Sequence, residues 1–168
     1  LTLAYGSSQL FTAAPDEGYT VDSWTVDGTE VQSGGTTYEM TDIRADHTVL
    51  VTFKLLSFTV TASAGEHGFI DPNGVLTLAY GSSQLFTAVP DAGYTVDVWT
   101  VDGTEVQSGG LTYTLENITA DHVVLVTFHP VNVTVTASAG DHGSVDPNGV
   151  LTLAYGSSQL FTAAPDEG

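Results

Sequence analysis

The chain has 168 residues, with twenty Asp and Glu against only two basic residues, Arg44 and Lys54, and a formal net charge of −18. So few cations leave nothing to displace the counterions of a phosphate backbone, which excludes nucleic acid as a partner, and the same balance excludes docking on an anionic membrane. There is no cysteine, so no disulfide or thioester staples the chain, and no run approaches the roughly 18 uninterrupted apolar residues of a membrane-spanning helix.

The segment LTLAYGSSQLFTA starts at Leu1, Leu76 and Leu151, so its three copies are evenly spaced. Leu1–Val75 and Leu76–Val150 are identical at 57 of 75 positions without a gap, and Leu151–Gly168 repeats Leu1–Gly18 unchanged. Solenoid repeats run about 20–50 residues, so this longer period leaves room for a small domain in each repeat. That size lies near the lower limit for a core that stabilises itself alone, which makes packing between neighbours a natural further contribution.

The pattern is strand throughout. In chain order, Phe58-Thr-Val-Thr-Ala-Ser-Ala64 alternates apolar and polar, and Asp71-Pro-Asn-Gly74 reads as a turn with glycine in the left-handed position. Val75–Tyr80 and Gln84–Ala88 follow as strands. Tyr94–Val101 and Thr104–Gln107 flank Asp102-Gly103, the signature of a type I′ hairpin turn. Leu111–Leu115 and His122–Phe128 complete the unit, with one brief helical turn expected around Thr119–His122. Val133-Thr-Val-Thr-Ala-Ser-Ala139 and Asp146-Pro-Asn-Gly149 then start the pattern again.

The expected fold is all-β, β-grasp-like or a small β-sandwich, with tandem domains of about 75 residues each set as beads on a rod. Lys54-Leu-Leu-Ser57 and His129-Pro-Val-Asn132 differ at all four positions amid near-identity, which marks 54–57 and 129–132 as connectors. One complete repeat then spans 58–128. Residues 1–53 are the C-terminal part of a preceding repeat and 133–168 the N-terminal part of a following one. The identical ends are accordingly expected to be cuts through a longer repeating polymer.

The run VTASAG-x-HG-x-x-DPNGVLTLAYGSSQLFTA-x-PD-x-GYTVD-x-WTVDGTEV, closing with ADH and VLVTF, resembles the divergent internalin-B-type B-repeat. The resemblance covers the whole chain. It implies a β-rich, β-grasp-like extracellular module of bacterial surface or secreted proteins, used as a stalk or adhesin repeat, and it brings no catalytic residues.

Trp24 and Trp99, Tyr19 and Tyr94, Tyr38 and Tyr113, and Phe53 and Phe128 occupy equivalent positions. With so few large side chains, they are expected to be core rather than a sugar-binding platform. His47, His67, His122 and His142 each follow an acidic residue, but neighbours on a strand point to opposite faces, so a turn role outweighs zinc. Calcium is the better metal candidate, through Asp16, Glu17, Asp22 and Asp27, or Asp91, Asp97 and Asp102. No calcium-loop pattern accompanies them, and solvated turn carboxylates are the preferred reading. Asn117-Ile-Thr119 and Asn132-Val-Thr134 are glycosylation tripeptides absent from the sister copies. The single lysine rules out an isopeptide bond in every repeat, and Ser7-Ser8 sits in no nucleophile elbow.

No enzyme activity and no cofactor are expected. The expected role is structural: a module of an extracellular or cell-surface stalk, fibre or filament. Its partners would be neighbouring repeats or identical chains, met through an edge strand such as Phe58–Ala64. The alternative is an adhesin repeat that binds a glycan or a host protein, where an array makes weak sites useful.

Overall fold

The computed structural model describes residues 1–167, and all its regular structure is strand. The first repeat contributes β1 (Ser7–Thr12), β2 (Tyr19–Val26), β3 (Thr29–Ser33), β4 (Thr37–Ile43) and β5 (Val49–Leu55). The second holds β6 (Ser57–Ala64), β7 (Gly68–Asp71), β8 (Gly74–Ala79), β9 (Gln84–Pro90), β10 (Tyr94–Val101), β11 (Thr104–Ser108), β12 (Thr112–Leu115) and β13 (His122–Pro130). The third begins with β14 (Asn132–Ala137), β15 (Gly143–Asp146), β16 (Gly149–Ala154) and β17 (Thr162–Pro165). Every expected strand is present. The helical turn at Thr119–His122 is not: Thr119–Asp121 is irregular, His122 already begins β13, and Asn117 just before takes φ 51°. Strands β7 and β15 have no expected counterpart; each is four residues long and runs directly into an Asp-Pro-Asn-Gly turn.

By its contacts the chain forms two compact units. One comprises Leu1–Thr59, Thr77–Ser83 and Glu116–Asp121; the other is the rest of the described chain. In the second unit, two sheets face each other. The strand order β11-β10-β13-β6-β8 forms one and β12-β9-β7 the other, with β9 against β10 and β7 against β13. Val60, Ala62, Val96, Trp99, Val124 and Val126 on the first sheet and Ile70, Phe86, Ala88 and Leu115 on the second are buried. This is a small β-sandwich.

Strand β6 is not an edge. It pairs in parallel with β13, Val60 opposite His122 through Ala64 opposite Val126, and has β8 on its other side. The expectation of a free edge at Phe58–Ala64 is therefore corrected, because the repeat's own last strand satisfies that backbone. A parallel pair has a further consequence. The chain enters the second repeat at one end of the sheet and leaves it at the other.

Burial in β10 breaks strict alternation, since Val96 and Trp99 are three positions apart yet both inward. A bulge explains it: Val96 lies opposite Phe128 and Trp99 opposite Val126, so three steps on β10 match two on β13. The first repeat does the same, with Val21 opposite Phe53 and Trp24 opposite Val51. Each indole N–H donates to a carbonyl in the loop that follows the hairpin, Trp24 to Gly35 at 3.0 Å and Trp99 to Gly110 at 3.1 Å. Gln32 and Gln107 tie the same loop, each donating to two backbone carbonyls. The hairpin turns are type I′ in character, with Asp27 at φ 51° and Gly28 at 80°, and Asp102 at 52° and Gly103 at 78°.

The tryptophans are core, as expected, and Tyr38 and Tyr113 pack on them at 5.9 and 5.8 Å between ring centres. Tyr19 and Phe53 are not; they are 46% and 42% exposed. Phe128, the counterpart of Phe53, lies over Gly68 of β7. The 168 residues hold no counterpart of β6 and β7 for the first repeat. Its cluster of Ala13, Val21 and Trp24, flanked by Phe11, Tyr38, Val49 and Val51, is correspondingly thinner. Beside it an open cavity of about 590 Å³ exposes Phe11, Met40, Ile43 and Val49, whose second-repeat counterparts Phe86, Leu115, Ile118 and Val124 are buried.

Because Trp99 is fully buried, Trp99→Ala removes both its packing and the bond to Gly110 and should cost about 3–5 kcal/mol. Urea unfolding followed by far-ultraviolet circular dichroism checks this, and a midpoint that hardly moves would contradict the assigned core.

Candidate functional site

A tandem-repeat chain meets its neighbours at the junctions between copies, and the two junctions here are built alike. Strand β5 runs through Leu55 and β6 begins at Ser57, so Leu56 alone lies between them. Its N–H donates to the carbonyl of Gly18 at 2.7 Å, and its own carbonyl accepts from the N–H of Tyr80 at 2.9 Å. Gly18 belongs to the first repeat and Tyr80 to the second, so one residue's peptide groups bridge both. At the next junction Val131 is the single residue between β13 and β14. Its N–H donates to Gly93 at 2.8 Å, and it accepts from Tyr155 at 2.9 Å.

The side chains repeat the scheme. The Tyr80 ring lies so close over Gly18 that a Cβ there would collide with it, and Tyr155 covers Gly93 in the same way. Both glycines also have positive φ, 79° and 84°, which L side chains rarely adopt. Tyr5, the equivalent tyrosine of the first repeat, is 79% exposed. Its ring instead lies 5.7 Å from the Arg44 guanidinium.

The two junctions differ in one side-chain hydrogen bond. Tyr80 donates its hydroxyl to Glu17 at 2.6 Å, and this bond to a carboxylate raises the phenol above its ordinary pKa of 10.0. Ala92 replaces Glu17 at the second junction, so the bond has no counterpart there. The Tyr80 loop is itself clasped from within its repeat. Gly81 donates to Ile118 at 2.8 Å and Ile118 to Ser82 at 2.9 Å.

A second recurring arrangement ties each hairpin turn to the last strand of its repeat. Asp102 accepts from His122 Nδ1 at 2.7 Å and from the Val123 N–H at 2.8 Å. These two bonds, the imidazole's first, lower its carboxyl below the ordinary 3.8. Asp27 does the same with His47 Nδ1 at 2.7 Å and the Thr48 N–H at 2.8 Å, and there the backbone bond has the larger effect. The histidines thus pair with aspartates of the preceding hairpin rather than with the acidic residues they follow. His67, at φ 72°, stacks on Tyr94 at 4.0 Å between ring centres.

Of the calcium candidates, Asp102 is engaged as described. Asp97 lies on β10, where its carbonyl accepts from Gly109 at 2.8 Å, and the Asp91 N–H donates to His67 at 2.9 Å. Asp22 pairs with Lys54 at 3.2 Å. Among the described residues, no three His, Asp or Glu side chains form a group that could hold a metal ion. The junction tyrosines and glycines are not among the expected site residues. The signal is present, since Gly18, Gly93, Tyr80 and Tyr155 recur in register, but the partners are far apart in sequence.

A family model described as the divergent InlB B-repeat domain matches residues 2–56 and again 58–132. No curated protein and no solved structure matches the chain.

Two measurements probe these arrangements. Gly18→Ala should destabilise the chain through both its positive φ, worth about 1–2 kcal/mol, and the collision with Tyr80. In a Tyr80→Ala background only the first part remains, so the double-mutant cycle should show a favourable coupling; strict additivity would dismiss the ring contact. For the turn clamps, a depressed carboxyl pKa means that the folded state binds fewer protons than the unfolded one. Their contribution is therefore present above pH 3.8 and lost as pH falls through the lowered folded values. Thermal melts across the acid range should show the D27N/D102N variant less stable than the parent near neutrality, with the gap closing below pH 3.8. A gap that does not change with pH would assign the effect elsewhere.

Proposed function

Since the chain belongs to the divergent InlB B-repeat family, a surface repeat family, we propose that it is a structural, non-catalytic module of a bacterial cell-surface or secreted stalk, fibre or filament. The observation that carries this reading is the parallel pairing of β6 with β13, which sends the chain in at one end of a repeat and out at the other. A module with antiparallel first and last strands returns the chain to its starting end. This one hands it onward.

The junctions support the same reading. A one-residue connector whose N–H and C=O are both bound leaves little freedom between copies, and a tyrosine seated on a glycine adds a close-packed contact at each junction. The ladders do not cross the junctions: among the described residues each joins strands of a single repeat. Neighbouring repeats of the same chain are the partners on this reading, met through the peptide bridge rather than through a shared sheet. The charge of −18 keeps separate chains apart in solution.

Small-angle scattering tests the proposal. A compact globule of this length has a radius of gyration of about 15 Å, whereas repeats advancing roughly 30 Å each should give about 22 Å. A value matching the compact globule would refute a stalk. Gly18→Val together with Gly93→Val should loosen the junctions and broaden the distance distribution.

A further inference from the structure

The outer face of the smaller sheet in the second repeat carries apolar residues that its sister copies lack. On the outer face of β12-β9-β7, Phe69 lies opposite Val89, Leu85 opposite Thr114, and Thr87 between Asp71 and Thr112. Phe69 and Leu85 are 54% and 53% exposed, and Val89 is also exposed. Single exposed apolar residues are ordinary on a protein surface. Here three share one face, and its composition is particular to this copy. Val89 corresponds to Ala14 and Ala164, Thr114 to Glu39, and Phe69 to Ser144. Each of these differences adds carbon to the second repeat or removes a charge from it.

We propose that this face is a docking surface for a partner polypeptide that presents apolar side chains among lysines or arginines. The charge distribution favours that occupant. Residues 57–130 contain eight Asp and Glu and no Lys or Arg, and Asp71 lies on the face itself, exposed beside Thr87. A cationic partner is drawn to such a surface before contact, and the apolar patch then holds it. A second copy of the chain is a poor occupant. Two chains of net charge −18 repel. The surface goes beyond the stalk reading and does not depend on it, since scattering reports on the junctions and the following experiment on the face.

The full chain is titrated at low and moderate salt with a synthetic peptide of alternating valine and lysine, alongside a serine–lysine peptide of equal charge and a valine–glutamate peptide. The valine–lysine peptide should bind, more weakly as salt rises, and more tightly than either control. The F69S/V89A variant, whose new residues already occur at the same positions in sister repeats and leave the charge unchanged, should bind it at least tenfold more weakly. F69S alone, a single exposed change that leaves the charge as it is, should weaken it in the same direction and serves should the double variant melt early. Equal binding of the serine–lysine peptide, undiminished binding by both variants, or no binding would overturn the proposal. So would a dimer of the parent chain, seen by sedimentation, that the double variant dissolves.

Discussion

The parallel pairing of the second repeat's first strand with its last is the constraint on which the rest of the fold depends. Strand β6 fills the space beside β13, and with β7 it supplies Val60, Ala62 and Ile70 to a core whose other walls come from β9, β10, β12 and β13. Within these 168 residues the first repeat shows the same later strands without that contribution. Phe53 is exposed where Phe128 is covered, and Phe11 lines an open cavity where Phe86 is buried. Strands that are nearly identical in sequence thus differ in burial because of what lies beside them. Stability in such a chain comes from completing each sandwich, not from the propensity of any one strand.

Much of the architecture is legible in the sequence because period-two alternation and turn chemistry are local signals. Asp102-Gly103 takes positive φ at both residues, as its sequence requires, and the expected strands match the observed ones to within a few residues. What local signals cannot show is how strands are offset against one another. The spacing of three between Val96 and Trp99 contradicts alternation until the bulge opposite Phe128 and Val126 is known. Likewise Phe58–Ala64 has the pattern of any half-buried strand, and nothing within it says that both its edges are occupied. The pairing of Asp102 with His122 is also hidden, although Asp27 and His47 repeat its spacing. Each histidine has an acidic neighbour in sequence, and only the hairpin brings the more distant partner within reach.

The carboxylates divide by what they do. Asp27 and Asp102 are bound acceptors at hairpin turns, and Glu17 accepts from a tyrosine at a junction. Neither Lys nor Arg takes part in these three interactions; backbone N–H groups, imidazoles and a phenol serve instead. That explains how a chain with only two Lys and Arg holds twenty Asp and Glu without depending on ion pairs, which contribute little at a surface in any case. The acidic excess is then free to act at long range, as repulsion between chains.

The connectors present a paradox that the junction geometry resolves. Residues 54–57 and 129–132 differ at every position, yet they lie at the place where two copies meet and where a mismatch should matter most. Leu56 and Val131, however, bridge the copies through their peptide groups, donating to Gly18 or Gly93 and accepting from Tyr80 or Tyr155. Any residue with a free N–H can do this, so their side chains are open to change. The residues that act through shape are the glycine, which must lack a Cβ, and the tyrosine that fills the space this leaves. Gly18 and Gly93 are the same residue, and so are Tyr80 and Tyr155. Divergence at the connector is therefore what a backbone-read junction permits, and identity at the flanking glycine and tyrosine is what it demands.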